Sequence, residues 1–124
     1  MLTDESLQLP PRPARLAGAR VAAWREPLAL PTYRPADPDV LPAYLDRRVY
    51  QGSSGRVYPL PFHDRIEAEP EVVEWDAVHL ENDWLRVVVL PELGGRIHVG
   101  RDLTRGEHGH DFFYANPVIK PALV

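Results

Sequence analysis

The chain has 124 residues, 44% of them hydrophobic, with a formal net charge of −4 and no cysteine. That length suffices for one domain with a modest core, and the lack of cysteine excludes disulfide scaffolds, cysteine-ligated zinc and cysteine nucleophiles. The acidic balance, without any Lys/Arg run, argues against a nucleic-acid partner, which calls for a basic face, and no apolar run approaches the ~20 residues of a membrane span.

Fourteen prolines are about twice the usual share of roughly 5%. Proline lacks a backbone donor and clashes with the preceding helical turn, so the chain is expected to be mainly β and antiparallel, with no helix beyond about three turns. Residues 1–18 read as a flexible Pro-rich leader, with Pro10, Pro11 and Pro13 favouring extended geometry; residues 19–124 read as a β-rich domain. The acidic start, Met1 to Glu5, lacks the basic and apolar regions of a signal peptide, so a cytoplasmic location is expected.

In chain order, residues 14–26 are ambiguous. Leu16, Arg20 and Trp24 share helical spacing, whereas Val21 to Trp24 suit a strand; Pro27 and Pro31 favour a strand over 20–30. Residues 31–46, with four prolines, predict a connector with one helical turn at 41–46. Residues 48–50 and 56–58 predict two short strands around a Gly-Ser turn. Strands are expected over 72–80, 84–90, 96–99 and 111–116, with turns at Asn82-Asp83, at residues 91–95 and at 104–109. Leu85, Val87, Val89, Ile97, Val99, Phe113 and Trp75 are the expected buried set. The apolar ending, Val118 to Val124, suggests a cut through a longer protein.

Few residues suggest chemistry. Gly52-Ser53-Ser54-Gly55 fits neither a phosphate loop nor a nucleophile elbow, because the lysine of the first and the spacing of the second are missing; a structural turn is the better reading. His108 and His110 would share a face of a strand, as two metal ligands do, but they sit at a Gly-flanked polar turn, so no metal is expected. No catalytic acid–base pair is visible, and no cofactor is expected. Gly94-Gly95-Arg96 is more suggestive, since two glycines permit a tight bend and Arg96 then points away from Ile97, able to hold a carboxylate or a sugar hydroxyl. Eleven aromatic residues suit either a core or a sugar-lined pocket.

Pro31-Thr32-Tyr33, Arg48-Val49-Tyr50-Gln51-Gly52-Ser53-Ser54-Gly55-Arg56-Val57-Tyr58-Pro59, Leu90-Pro91-Glu92-Leu93-Gly94-Gly95-Arg96-Ile97 and Asp111-Phe112-Phe113-Tyr114 resemble a bacterial domain of unknown function that typically precedes tetratricopeptide repeats. The resemblance runs from about Arg20 onward. The Leu-Pro-Glu-Leu-Gly-Gly-Arg-Ile stretch also resembles the opening strands of galactose-mutarotase-like domains, a β-supersandwich common among sugar-active proteins. It implies a partial supersandwich in a larger protein whose catalytic His and Glu lie beyond these strands, so no catalytic residue carries over.

The resulting expectation is the N-terminal, non-catalytic part of a carbohydrate-binding or carbohydrate-processing protein, the alternative being a structural or protein-interaction module of a tetratricopeptide-repeat protein. Carbohydrate is the expected ligand, with Arg96, Tyr114 and Lys120 as binding candidates. Self-association is expected through the strand edges and apolar face that a divided supersandwich would expose.

Overall fold

A computed structural model describes residues 7–37 and 65–121. Among these, β-branched and alternating runs form seven strands: β1 (Val21–Arg25), β2 (Leu28–Thr32), β3 (Glu71–Trp75), β4 (Val78–Asn82), β5 (Leu85–Leu90), β6 (Arg96–Asp102) and β7 (His110–Asp111). Among the described residues helix is limited to two single 3-10 turns, Ala14–Leu16 and Pro91–Leu93. Five strands make one sheet in the order β1-β4-β5-β6-β7, while β2 and β3 make a second. Every neighbouring pair in the larger sheet is antiparallel, so the chain is mainly β and antiparallel, as its proline content requires. The hairpin expected over 48–58 and the helical turn at 41–46 lie outside the described residues.

The chain divides into two units, one of Met1–Leu30 with Val72–Pro117 and the other of Pro31–Glu71 with Val118–Val124. In the second, Ile119 lies beside β2: its N–H donates to the Pro31 carbonyl at 2.9 Å and its own carbonyl accepts from Tyr33 N–H at 2.8 Å. A proline inside a strand belongs at such a place, where it offers a carbonyl and owes no donor.

Two expected strands are each broken in the middle. Residues 20–30 become β1 and β2, and residues 72–80 become β3 and β4, with the halves in different sheets. The breaks face each other. Glu26 N–H donates to Ala77 O at 3.0 Å, and Arg25 meets Asp76 through two hydrogen bonds of 2.7 and 2.5 Å. Pro27, with no N–H to continue the β1 ladder, marks the point where the first run leaves the sheet. Elsewhere the turn chemistry follows the sequence. The Asn82 side chain accepts from the N–H groups of Trp84 and Leu85 at 2.9 and 2.7 Å, and Gly94 and Gly95 take φ of 74° and 68°, the left-handed region that side chains resist.

The buried face of the larger sheet corrects the expected one. Val99 is buried, but Val87, Val89 and Trp75 are half-buried, and Leu85, Ile97 and Phe113 are exposed. The inward residues of β5 are Arg86, Val88 and Leu90. Residues 85–90 are apolar at both parities apart from Arg86, so hydrophobicity alone could not choose a face, and the arginine turns out to face inward, where it is paired. The other face carries Val21, Leu80, Leu85 and Ile97, all exposed.

The expected strand over 111–116 is also corrected, since β7 ends at Asp111. Phe112 still donates its N–H to Gly100 O at 3.0 Å, and the rings of Phe112 and Phe113 pack edge to face, centroids 5.3 Å apart, against Gly100. A β-carbon on Gly100 would lie 2.5 Å from both rings. Gly100→Ala is therefore expected to displace both rings and to lower the urea midpoint, at a cost of about 1–2 kcal/mol, with the slope of the transition unchanged.

Candidate functional site

The strand register places polar residues in a row across the covered face. Ala22 is opposite Glu81, Glu81 opposite Arg86, Arg86 opposite Arg101, and Arg101 opposite Asp111. The next row is Trp24, His79, Val88 and Val99. Arg86 and Arg101 are buried, so their charges require partners. Arg86 Nη1 donates to Glu81 Oε2 at 3.1 Å, and Arg101 Nε to Asp111 Oδ1 at 2.6 Å.

The segment before β1 lies along this row. Arg86 Nη2 donates to Pro10 O at 2.8 Å and Arg101 Nη2 to Leu7 O at 2.8 Å. Arg12 Nε reaches Glu81 Oε1 at 2.9 Å, while its Nη1 binds the carbonyls of Leu16 and Ala19 at 3.3 and 2.6 Å. The described part of the proline-rich leader is thus held to the sheet by three arginines.

His79, wholly buried, sits at the centre. Its ring stacks on Trp24, 5.1 Å between centroids and 8° from parallel, and the Arg86 guanidinium lies 4.7 Å from the Trp24 ring centroid, a cation–π distance. The Trp24 indole donates to Glu26 Oε2 at 3.0 Å. Arginine offers only donors, so the 2.9 Å contact from Arg86 Nη2 makes His79 Nδ1 the acceptor. The ring proton is therefore on Nε2, which donates to Glu26 O at 2.9 Å. Burial, with Arg86 beside it, draws His79 below the ordinary histidine range against the opposing pull of the Glu26 carbonyl, and burial likewise lowers Arg86. Arg86 Nε has no partner among the described residues.

A second polar pair forms at an irregularity of β6. Val88 pairs with Val99 but Val89 with Ile97, so His98 is the extra residue of a bulge, a feature that redirects side chains. His98 is buried, and its Nδ1 accepts from Arg96 Nη2 at 3.3 Å. Burial first, then Arg96, lowers its pKa, with the Asn116 backbone opposing.

Both buried histidines are held neutral in the fold, whereas an unfolded histidine titrates near pH 6.5. Below that pH the unfolded chain binds more protons than the folded one. Their contribution to stability is complete above about pH 6.5 and is lost as the pH falls below it. Urea midpoints should be level from about pH 8 to 6.5 and then decline, well before the carboxylates begin to protonate near pH 4.

The three residues singled out from sequence fall as follows. Arg96 is exposed at the start of β6 and touches His98. Tyr114 is 81% exposed, in the same unit. Lys120 belongs to the other unit, with Nζ 5.5 Å from the Tyr33 ring centroid. His108 lines an open pocket of about 310 Å³ with Leu7, Gln8, Leu9 and Arg101, and among the described residues no cluster of three or more His, Asp or Glu is placed to hold a metal. The Glu81–Arg86–His79 network was not anticipated. Its signal was present: His79 and Glu81 alternate along one strand, and Arg86 interrupts an otherwise apolar run, where a charge must be paired.

Residues 53–124, more than half of the chain, match the family described as Domain of unknown function (DUF5107). The fold is similar to part of the crystal structure of a TPR-domain containing protein from Parabacteroides distasonis ATCC 8503, with a TM-score of 0.58 at 20% identity over 81% of this chain. The chain spans 16% of that protein's length.

Proposed function

The chain belongs to the family described as Domain of unknown function (DUF5107), and we propose that it is the N-terminal, non-catalytic part of a larger carbohydrate-binding or carbohydrate-processing protein with a galactose-mutarotase-like fold. The observation that carries this reading is the pair at the β6 bulge. Arg96 is exposed yet steadied by the buried His98, which leaves further guanidinium donors to meet hydroxyl oxygens. Tyr114 exposes an aromatic face in the same unit, the other component that sugar recognition uses. Lys120 on Tyr33 is a separate candidate and is tested alone.

The test is a glycan screen on the full-length protein, followed by titration calorimetry on any sugar that raises its melting temperature. Arg96→Ala is expected to weaken binding about tenfold, equivalent to ~1.4 kcal/mol, beyond the modest loss of stability from leaving the buried His98 Nδ1 without its donor, so binding is measured at a temperature where the variant is fully folded. Tyr114→Ala and Lys120→Ala show which of the other two takes part. If no sugar binds, or if Arg96→Ala binds as tightly as the parent, the reading fails.

One observation favours the alternative, a structural or protein-interaction module. The sheet face bearing Val21, Leu80, Leu85 and Ile97 is exposed, and an apolar face of this kind is suited to association, including the self-association expected from the sequence. Light scattering over a range of concentrations discriminates the oligomeric outcome: a concentration-independent monomer removes self-association.

A further inference from the structure

We propose that His79 is an acid-sensitive pin that, when neutral, holds residues 8–11 on the sheet through Arg86 and, when protonated, lets them go, while Leu7 stays tied to Arg101 and Arg12 to Glu81. The geometry turns on one nitrogen. Arg86 Nη2 carries two hydrogens; one goes to His79 Nδ1 at 2.9 Å and the other to Pro10 O at 2.8 Å. The lone pair of a neutral imidazole and the backbone of the overlying segment are thus joined through a single –NH₂ group.

A proton on Nδ1 removes that acceptor and sets an N–H of one cation against an N–H of another across the same 2.9 Å. The histidine ring has little freedom to turn, because it is stacked on Trp24 and its Nε2–H is committed to Glu26 O. Neither side chain can turn to solvent, since His79 and Arg86 are 0% and 6% exposed. The relief available is a withdrawal of the guanidinium along its flexible stem, which takes the donor to Pro10 with it.

The other charges around the ring do not offset this. Glu26, just beyond β1, has its carboxylate held by the Trp24 indole. Glu81 on β4 is already shared between Arg86 and Arg12, just past the segment. Arg101 on β6 stands next to Arg86 in the row and adds positive charge. Its own hold on Leu7 O lies at the far end of the segment and does not substitute for the one at Pro10.

The experiment is ¹⁵N relaxation and imidazole ¹⁵N shifts on the full chain between about pH 7.5 and 5. The order parameters of Gln8 and Leu9 are expected to fall from about 0.85 to below about 0.6 as His79 Nδ1 protonates, while Arg12, still held by Glu81, and the β4 and β5 amides keep their values. His79→Gln, which keeps an acceptor and a donor but does not titrate, should abolish the response, and His98→Gln should preserve it. A segment that stays ordered once Nδ1 is protonated overturns the proposal, as does a release that occurs with Nδ1 unprotonated. If His79→Gln does not fold, the imidazole shifts of the parent chain decide between these outcomes.

Discussion

Arg86→Ala is expected to cost about 3–5 kcal/mol of folding stability, the range for removing one partner of a buried charged network. The arginine joins four elements at once. It donates to Glu81 on β4, to His79 on the same strand and to Pro10 O of the overlying segment, and it lies on the ring of Trp24 on β1. Truncation leaves Glu81 with Arg12 alone, leaves His79 Nδ1 without a donor in a dry site, and opens a void beside the indole. Arg25→Ala is the matched comparison. That arginine makes a two-bond contact with Asp76, but its side chain is 73% exposed, so solvent and salt screen the pair and little change is expected. Urea unfolding of both variants at pH 7.5 checks the contrast. Similar midpoints for the two would show that burial does not decide the value of these arginines.

The β class and the turns were legible in the sequence because they rest on local chemistry. Proline spacing forbade long helices, Asn82 capped its own turn, and Gly94-Gly95 supplied the two left-handed residues between β5 and β6. What local chemistry does not encode is which of two apolar faces turns inward. Along residues 85–90 both parities are hydrophobic, and the one polar residue was naturally placed outward, whereas Arg86 is inward because Glu81 lies directly opposite on β4. A cross-strand partner becomes visible only once the register is known. The same limit hid the broken strands, since the exchange of sheet partners at 26–27 and 76–77 is a pairing of two distant breaks. It also hid the packing of Phe112 and Phe113, whose aromatic run has strand propensity but whose position depends on the bare backbone of Gly100 on another strand. Of the candidate binding residues, Arg96 was suggested by the Gly-Gly bend before it. His98 beneath it was not, because a bulge is a mismatch between two strands and leaves no mark on one.

Trp24→Ala is expected to be as damaging as the loss of Arg86, at about 3–5 kcal/mol, and the series at this position separates packing from polarity. Trp24 is 5% exposed and supplies three things: a stacking surface for His79 at 5.1 Å, a face for the Arg86 guanidinium at 4.7 Å, and an indole N–H for Glu26 at 3.0 Å. Alanine removes all three. Phenylalanine keeps a ring for the first two and removes only the third, so Trp24→Phe should cost about 1–2 kcal/mol, made up of one hydrogen bond to a charged group and the lost ring area. Fluorescence provides an independent reading. Trp84 is 60% exposed and Trp75 half-buried, both wetter than Trp24, so Trp24→Phe should shift the emission of the native chain to the red. The parent's emission should also fall once His79 protonates in the fold, at a pH below the ordinary histidine value because burial lowers its pKa, since an imidazolium stacked on an indole quenches it, and Trp24→Phe should remove most of that pH dependence. Equal losses of stability in Trp24→Phe and Trp24→Ala would mean that the bond to Glu26, which fixes the residue whose carbonyl receives the His79 proton, matters more than the stack. The network would then be anchored from the end of β1 rather than from the ring.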